Sequence, residues 1–145
     1  MKKRFLSVFI LLALFLTACL PAEVVVDSTL DPDGYYSSEE EVALYLDTYG
    51  ELPYNYVTKE EARELGWVAS EGNLWEVTDE YLIGGDRFGN REGLLPEESG
   101  RQYFEADVNY EGGYRGAERL VYSNDGLIYY TDDHYDSFTL LYGED

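Results

Sequence analysis

The chain has 145 residues and a formal net charge of −20, from 30 acidic and 10 basic residues. Fifteen tyrosines, six phenylalanines and two tryptophans, within an apolar content of 45%, exclude a disordered chain, and the length suffices for one domain with one core. A single cysteine excludes an internal disulfide, and the acidity argues on its face against a polyanionic partner such as nucleic acid.

Lys2, Lys3 and Arg4 precede an apolar run from Phe5 to Leu16. A basic start and about a dozen apolar residues make a secretory signal, since the run is too short for a stable membrane-spanning helix. It ends in Leu16-Thr17-Ala18-Cys19, which resembles the lipobox of bacterial lipoproteins, so residues 1–18 read as a signal peptide and Cys19 as a lipidation site. The expected location is extracellular, with a lipid anchor as the contact with membrane. Removal of residues 1–18 takes away three of the ten basic residues; seven then face 30 acidic ones, and the formal charge becomes −23. Residues 19–36 show neither helical nor alternating patterning, and Asp31-Pro32-Asp33-Gly34 marks a turn; this stretch reads as a tether to a domain over 37–145.

Ser37 or Ser38, followed by Glu39-Glu40-Glu41, starts a helix: a hydroxyl caps it and acidic side chains fill its first turn. Val42, Leu46 and Tyr49, with Ala43 and Tyr45, supply one apolar face, and Gly50 stops it. Thr58 before Lys59-Glu60-Glu61 makes a capping box for a second helix that ends at Gly66. A shorter third helix is expected after Asn73. The period then changes. Tyr81–Ile83, Tyr103–Val108, Arg119–Tyr122, Leu127–Tyr130 and Phe138–Tyr142 are short, aromatic and β-branched, and Ser123-Asn124-Asp125-Gly126 is a tight-turn signature between two of them. The pattern predicts an α+β domain: two or three N-terminal helices packed on a five-stranded antiparallel sheet.

Residue types alone single out few candidates for chemistry. His134 is the one histidine, set among carboxylates in Thr131-Asp132-Asp133-His134-Tyr135-Asp136 between two strands, where a solvated surface residue is the ordinary expectation. Glu105 lies in an alternating strand and shares its face with Tyr103 and Asp107. Spacing by itself does not bring these residues together. One histidine and one leader cysteine offer no metal-ligand spacing, so neither metal nor cofactor is expected.

From about Val42 to Tyr142 the chain resembles the barnase-type family of secreted, guanyl-preferring bacterial ribonucleases. The resemblance rests on motifs in order and at matching spacing: residues 45–53, Gly66–Leu74, Ile83–Gly93, Glu105–Tyr110, Tyr114-Arg115 with Arg119, and Thr131–Tyr135. It implies metal-free cleavage of single-stranded RNA 3′ of guanine by a monomer. In that chemistry Glu105 is the general base and His134 the general acid, and Lys59, Arg115 and Arg119 supply cations at the phosphoryl group. Glu92 would read the guanine edge together with backbone amides of Gly89, Asn90 and Arg91, and Phe88 and Tyr135 would pack against bases. The resemblance also pairs Arg101 with Asp125 and implies a barstar-like intracellular inhibitor.

Two features depart from the family. Its pattern is basic, whereas this chain is strongly acidic: Glu71, Leu94 and Glu98 stand where lysines are expected, and Gly89 and Gly116 replace small polar residues. Yet Lys59, Arg91, Arg115 and Arg119, four of the seven basic residues outside the leader, fall on the family's site positions. The competing expectation is a catalytically inactive surface binding module on the same fold; an intact Glu105 and His134 weigh against it.

Overall fold

The computed structural model describes residues 30–144. The expected signal peptide, the lipidation site Cys19 and residues 20–29 of the expected tether lie outside that range. Residues 30–36, assigned above to the tether, lie against the first helix, α1 (Glu39–Tyr49). The Tyr45 hydroxyl donates to the Pro32 carbonyl at 2.6 Å and that of Tyr49 to the Leu30 carbonyl. Asn55 Nδ2 donates to the Tyr36 carbonyl at 2.9 Å.

Both long helical signals are realised at their caps. Ser38 accepts from the Glu41 amide at 3.2 Å, and Gly50 (φ 72°) ends α1 in the left-handed conformation with its N–H on the Leu46 carbonyl. Helix α2 (Lys59–Glu64) begins with the reciprocal capping box of Thr58 and Glu61. Such a cap contributes about 1 kcal/mol, and here it also fixes where Lys59 enters the helix. Helix α3 (Leu74–Val77) follows Asn73 and buries Leu74 with Trp67, Leu82 and Ile83.

The strands pair in chain order: β1 (Tyr56–Val57), β2 (Leu82–Phe88), β3 (Tyr103–Asp107), β4 (Arg119–Ser123), β5 (Ile128–Thr131) and β6 (Thr139–Tyr142). The α+β class and the antiparallel run β2 to β6 are as expected, but the sheet has six strands where five were expected. The additional strand, β1, pairs parallel with Leu82 and Ile83. Two residues carry no readable alternation, so β1 is a strand only because β2 lies beside it. Strand β2 also runs five residues past its expected end, through Gly84-Gly85, with a register shift between Gly84 and Asp86. Gly84 is needed there: a Cβ would sit 2.5 Å from Tyr56 Cδ1 and 3.0 Å from Ala106 Cβ.

Alternation divides the sheet's side chains between two layers. Val108, Leu120 and Ile128 pack with Val42, Ala43 and Leu46 of α1. On the opposite face Tyr103, Val121, Leu127 and Tyr129 pack with Leu95, and Phe88, Tyr135 and Phe138 lie against them. Glu105 is the Cα partner of Val121 and so belongs to this second face, away from α1. The expected ion pair of Arg101 with Asp125, at 2.9 Å, ties the start of β3 to the β4–β5 turn.

Candidate active site

Nine of the eleven catalytic and base-binding residues expected from the resemblance line one cleft of about 470 Å³: Lys59, Phe88, Gly89, Asn90, Arg91, Glu92, Glu105, His134 and Tyr135. Helix α2 delivers Lys59 at its first residue, β3 delivers Glu105, the last residue of β2 is Phe88, and the loops after β2 and β5 supply the remainder.

Glu105 is buried, 8% exposed, yet both carboxylate oxygens are satisfied. Lys59 Nζ donates to Oε1 at 3.1 Å and the Tyr135 hydroxyl donates to Oε2 at 2.7 Å. A buried carboxylate is tolerated only with such partners. Lys59 is itself anchored, its backbone amide donating to Asp86 Oδ2 at 3.0 Å. Burial, then the bond to Glu105 and that carboxylate's charge, push the Tyr135 phenol far above its ordinary value, so it remains a donor.

His134 and Tyr135 both have positive φ, 54° and 75°. That conformation costs residues other than glycine about 1 kcal/mol or more each, and the loop is braced against it. Asp133 Oδ1 accepts from Thr131 Oγ1 at 2.8 Å and from the Ser137 amide at 2.9 Å, while the Ser137 hydroxyl donates to Oδ2. The Tyr135 amide donates to Thr131 Oγ1 at 3.1 Å, and the His134 amide donates to the Ala117 carbonyl at 3.2 Å. The imidazole stays exposed, its ring 4.8 Å from that of Tyr135. Tyr135 in turn stacks on Phe88, centroids 5.1 Å apart.

The loop after β2 is held from inside by Asn90, which is buried with φ 48°. Its Nδ2 donates to the Leu95 carbonyl at 2.9 Å, and its Oδ1 accepts from the Leu95 amide at 3.1 Å. The Asn90 side chain is therefore occupied in shaping the loop. Arg91 and Glu92 beside it are exposed.

Arg115 and Arg119 do not line the cleft. Buried Asp107, two residues beyond Glu105 on the same face of β3, holds both. Arg115 makes a bidentate fork to it, Nε to Oδ2 at 2.8 Å and Nη2 to Oδ1 at 2.6 Å. Arg119 Nε lies 3.0 Å from Oδ1 without a hydrogen bond's angle, a bare ion pair. Burial alone would lower the Arg115 guanidinium, but the bond to Asp107 and its charge outweigh it and hold the group above its ordinary value. Arg119 also reaches the site's edge, 6.0 Å from the Tyr135 ring.

Residues that sequence reasoning did not single out complete the arrangement. Arg87, Leu94, Asp136 and Phe138 line the cleft, and Asp86, Asp107 and Asp133 position its cations and its histidine loop. Asp107 carried a readable signal, its alternation with Glu105; Asp86 and Arg87 lie on the part of β2 beyond its expected end, and Leu94, Asp133, Asp136 and Phe138 lie in loops. Among the described residues no cluster of three or more His, Cys, Asp or Glu side chains is arranged to hold a metal ion.

The ribonuclease family model matches residues 39–142, and the chain belongs to that family. Over 100 residues it is 61% identical to a ribonuclease of Bacillus intermedius and 61% identical to one of Heyndrickxia coagulans. The matched stretch is 69% of this chain in both cases, but 62% of the Bacillus protein and 92% of the Heyndrickxia protein. A protein of Saccharopolyspora erythraea named guanyl-specific ribonuclease St is 46% identical over 61 residues, 41% of this chain and 60% of its own length.

Proposed function

We propose that the protein is an endoribonuclease that cleaves single-stranded RNA 3′ of guanine by metal-free acid–base chemistry. The observation that carries the reading is the convergence of Glu105 and His134, twenty-nine positions apart, on one cleft beside the loop 88–92. Glu105 takes the proton of the ribose 2′-hydroxyl, whose oxygen then attacks phosphorus. The bond to the departing 5′-oxygen breaks and His134 protonates that oxygen, leaving a 2′,3′-cyclic phosphate. Water opens the ring with the two roles exchanged. Lys59, beside Glu105, and the pair Arg115 and Arg119 behind it offset the negative charge that builds on the phosphoryl oxygens.

Guanine preference follows from Glu92, exposed at the cleft, accepting from the base N1–H and N2–H groups, with backbone amides of residues 89–91 donating to O6 and N7. Phe88 and Tyr135 supply ring faces. The relative named guanyl-specific supports this choice of base. The composition of residues 1–18 and the Leu16–Cys19 motif support export and lipidation at Cys19. The exposed Arg91 and His134 offer contacts to a barstar-like inhibitor.

The test compares GpA with UpA as substrates for the wild type, Glu105→Ala and His134→Ala. GpA cleavage far above UpA is expected, with each variant lower by on the order of 10²–10⁴-fold. A folded wild type that cleaves neither dinucleotide would end the enzyme reading.

A further inference from the structure

Arg87 belongs to two surfaces. It lines the cleft just before the loop 88–92, and its guanidinium carbon lies 5.8 Å from the centroid of the Phe104 ring. Phe104 in turn stacks on Tyr122, with centroids 5.8 Å apart and 28° between the planes. The three residues are Cα partners in one row across β2, β3 and β4. Phe104 neighbours Glu105 in sequence, so alternation puts this row on the opposite face of the sheet from Glu105. There Phe104 and Tyr122 form one wall of a second groove of about 430 Å³, whose other side is Leu46 and Gly50 at the end of α1.

Beside the edge between the two surfaces the Lys59 amide of α2 bonds the Asp86 side chain, and the next residue, Arg87, is exposed. Strand β1 pairs with β2 only at Leu82 and Ile83, so Asp86–Phe88 has β3 on one side and no strand on the other among the described residues. An extended chain leaving the cleft can pass over this edge at Arg87 and reach the groove. Lys59, Arg115 and Arg119 are each engaged by a carboxylate of the protein, whereas Arg87 rests on an aromatic ring at the boundary.

We propose that the Arg87–Phe104–Tyr122 row is a second RNA-binding site, which takes a nucleobase from the strand flanking the guanosine held in the cleft, with Arg87 on the intervening phosphate. The inference rests on the ribonuclease reading above. Aromatic rings stack any base, because every base has a π-face, and a guanidinium serves both ring and phosphate. Asp47, which also lines the groove, repels phosphate, so the base enters and the backbone stays at the edge. A dinucleotide is too short to occupy both surfaces. The site therefore discriminates by length, in a protein whose overall charge repels long RNA.

The test measures kcat/KM on GpA and on a single-stranded oligoribonucleotide with one central guanosine in an adenosine tract, for the wild type, Phe104→Leu and Tyr122→Leu. Thermal melts establish that each variant is folded. Loss of one stacked base is expected to lower kcat/KM on the long substrate roughly 5- to 100-fold with GpA cleavage unchanged. Equal activity on the long substrate, or an equal fall on both substrates, would overturn the proposal. A second readout needs no turnover. An oligomer with 2′-deoxyguanosine at the scissile position and 2-aminopurine beside it should lose fluorescence on binding wild type and keep it with either variant. Quenching that survives both substitutions overturns the site independently. If the wild type cleaves neither substrate, the ribonuclease reading is what fails, and the length effect falls with it.

Discussion

The Tyr135 hydroxyl donates a 2.7 Å hydrogen bond to Glu105 Oε2, joining the histidine loop to the centre of the sheet. Lys59 holds the other oxygen at 3.1 Å, so the carboxylate is oriented from two sides. Tyr135→Phe keeps the ring that stacks on Phe88 and removes only the donor. A hydrogen bond to a charged group is worth about 1.5–3 kcal/mol, so kcat/KM on GpA should fall roughly ten- to a hundredfold. Steady-state kinetics on the dinucleotide checks this. An unchanged rate would remove the phenol from the arrangement that positions Glu105.

Asp133 braces the backbone on which His134 sits. The Ser137 hydroxyl and amide, then the Thr131 hydroxyl, hold its carboxyl at about 2, below the ordinary 3.8. A carboxylate depressed in this way adds stability that is complete above pH ~3.8 and lost as pH falls toward 2. Asp133→Asn should therefore melt lower at neutral pH and show a flatter fall in Tm between pH 4 and 2 than wild type. Displacement of the imidazole should lower activity about tenfold or more. Melting curves across that pH range check the first outcome, and a Tm profile parallel to wild type would contradict it.

The helix ends were legible because caps are local chemistry: Ser38, Gly50 and the Thr58–Glu61 box each act within four residues. Strand β1 and the far half of β2 were not. A two-residue strand has no period, and Gly84-Gly85 reads as a turn unless one knows that Tyr56 and Ala106 crowd that point. Glu105 and His134 show the same divide at the site. Their residue types fit acid–base chemistry, but spacing alone could not join them, and their pairing came from the resemblance. Arg115 and Arg119 were expected at the phosphoryl group itself; their common anchor on Asp107 follows from the β3–β4 register, which pairs Asp107 with Arg119.

That anchor makes Asp107 the residue on which stability depends most visibly. It is 2% exposed and faces two guanidinium groups, one through a bidentate fork. Asp107→Asn keeps the volume but leaves the buried Arg119 and the half-buried Arg115 without their counter-charge, and loss of one partner of a buried pair typically costs about 3–5 kcal/mol. Urea denaturation should show a loss of about that size, and activity should fall with it as the arginines lose their common support. A loss below about 1 kcal/mol would mean that solvent or another group takes over the pairing.

Net charge sets the response to salt. At −20 the protein repels a polyanion at long range, while Lys59, Arg87 and Arg91 line the cleft and attract it at short range. Added salt screens the long-range part first, over a Debye length of about 10 Å at 0.1 M. A basic nuclease loses activity on long RNA as salt rises, because screening removes attraction. Here screening removes repulsion, so kcat/KM on long RNA should stay level or rise between low and moderate salt. Cleavage of GpA, which samples mainly the cleft, should change less. A rate series on both substrates across that range checks the expectation. A steep fall on long RNA would mean that the cleft's cations govern encounter despite the surface around them.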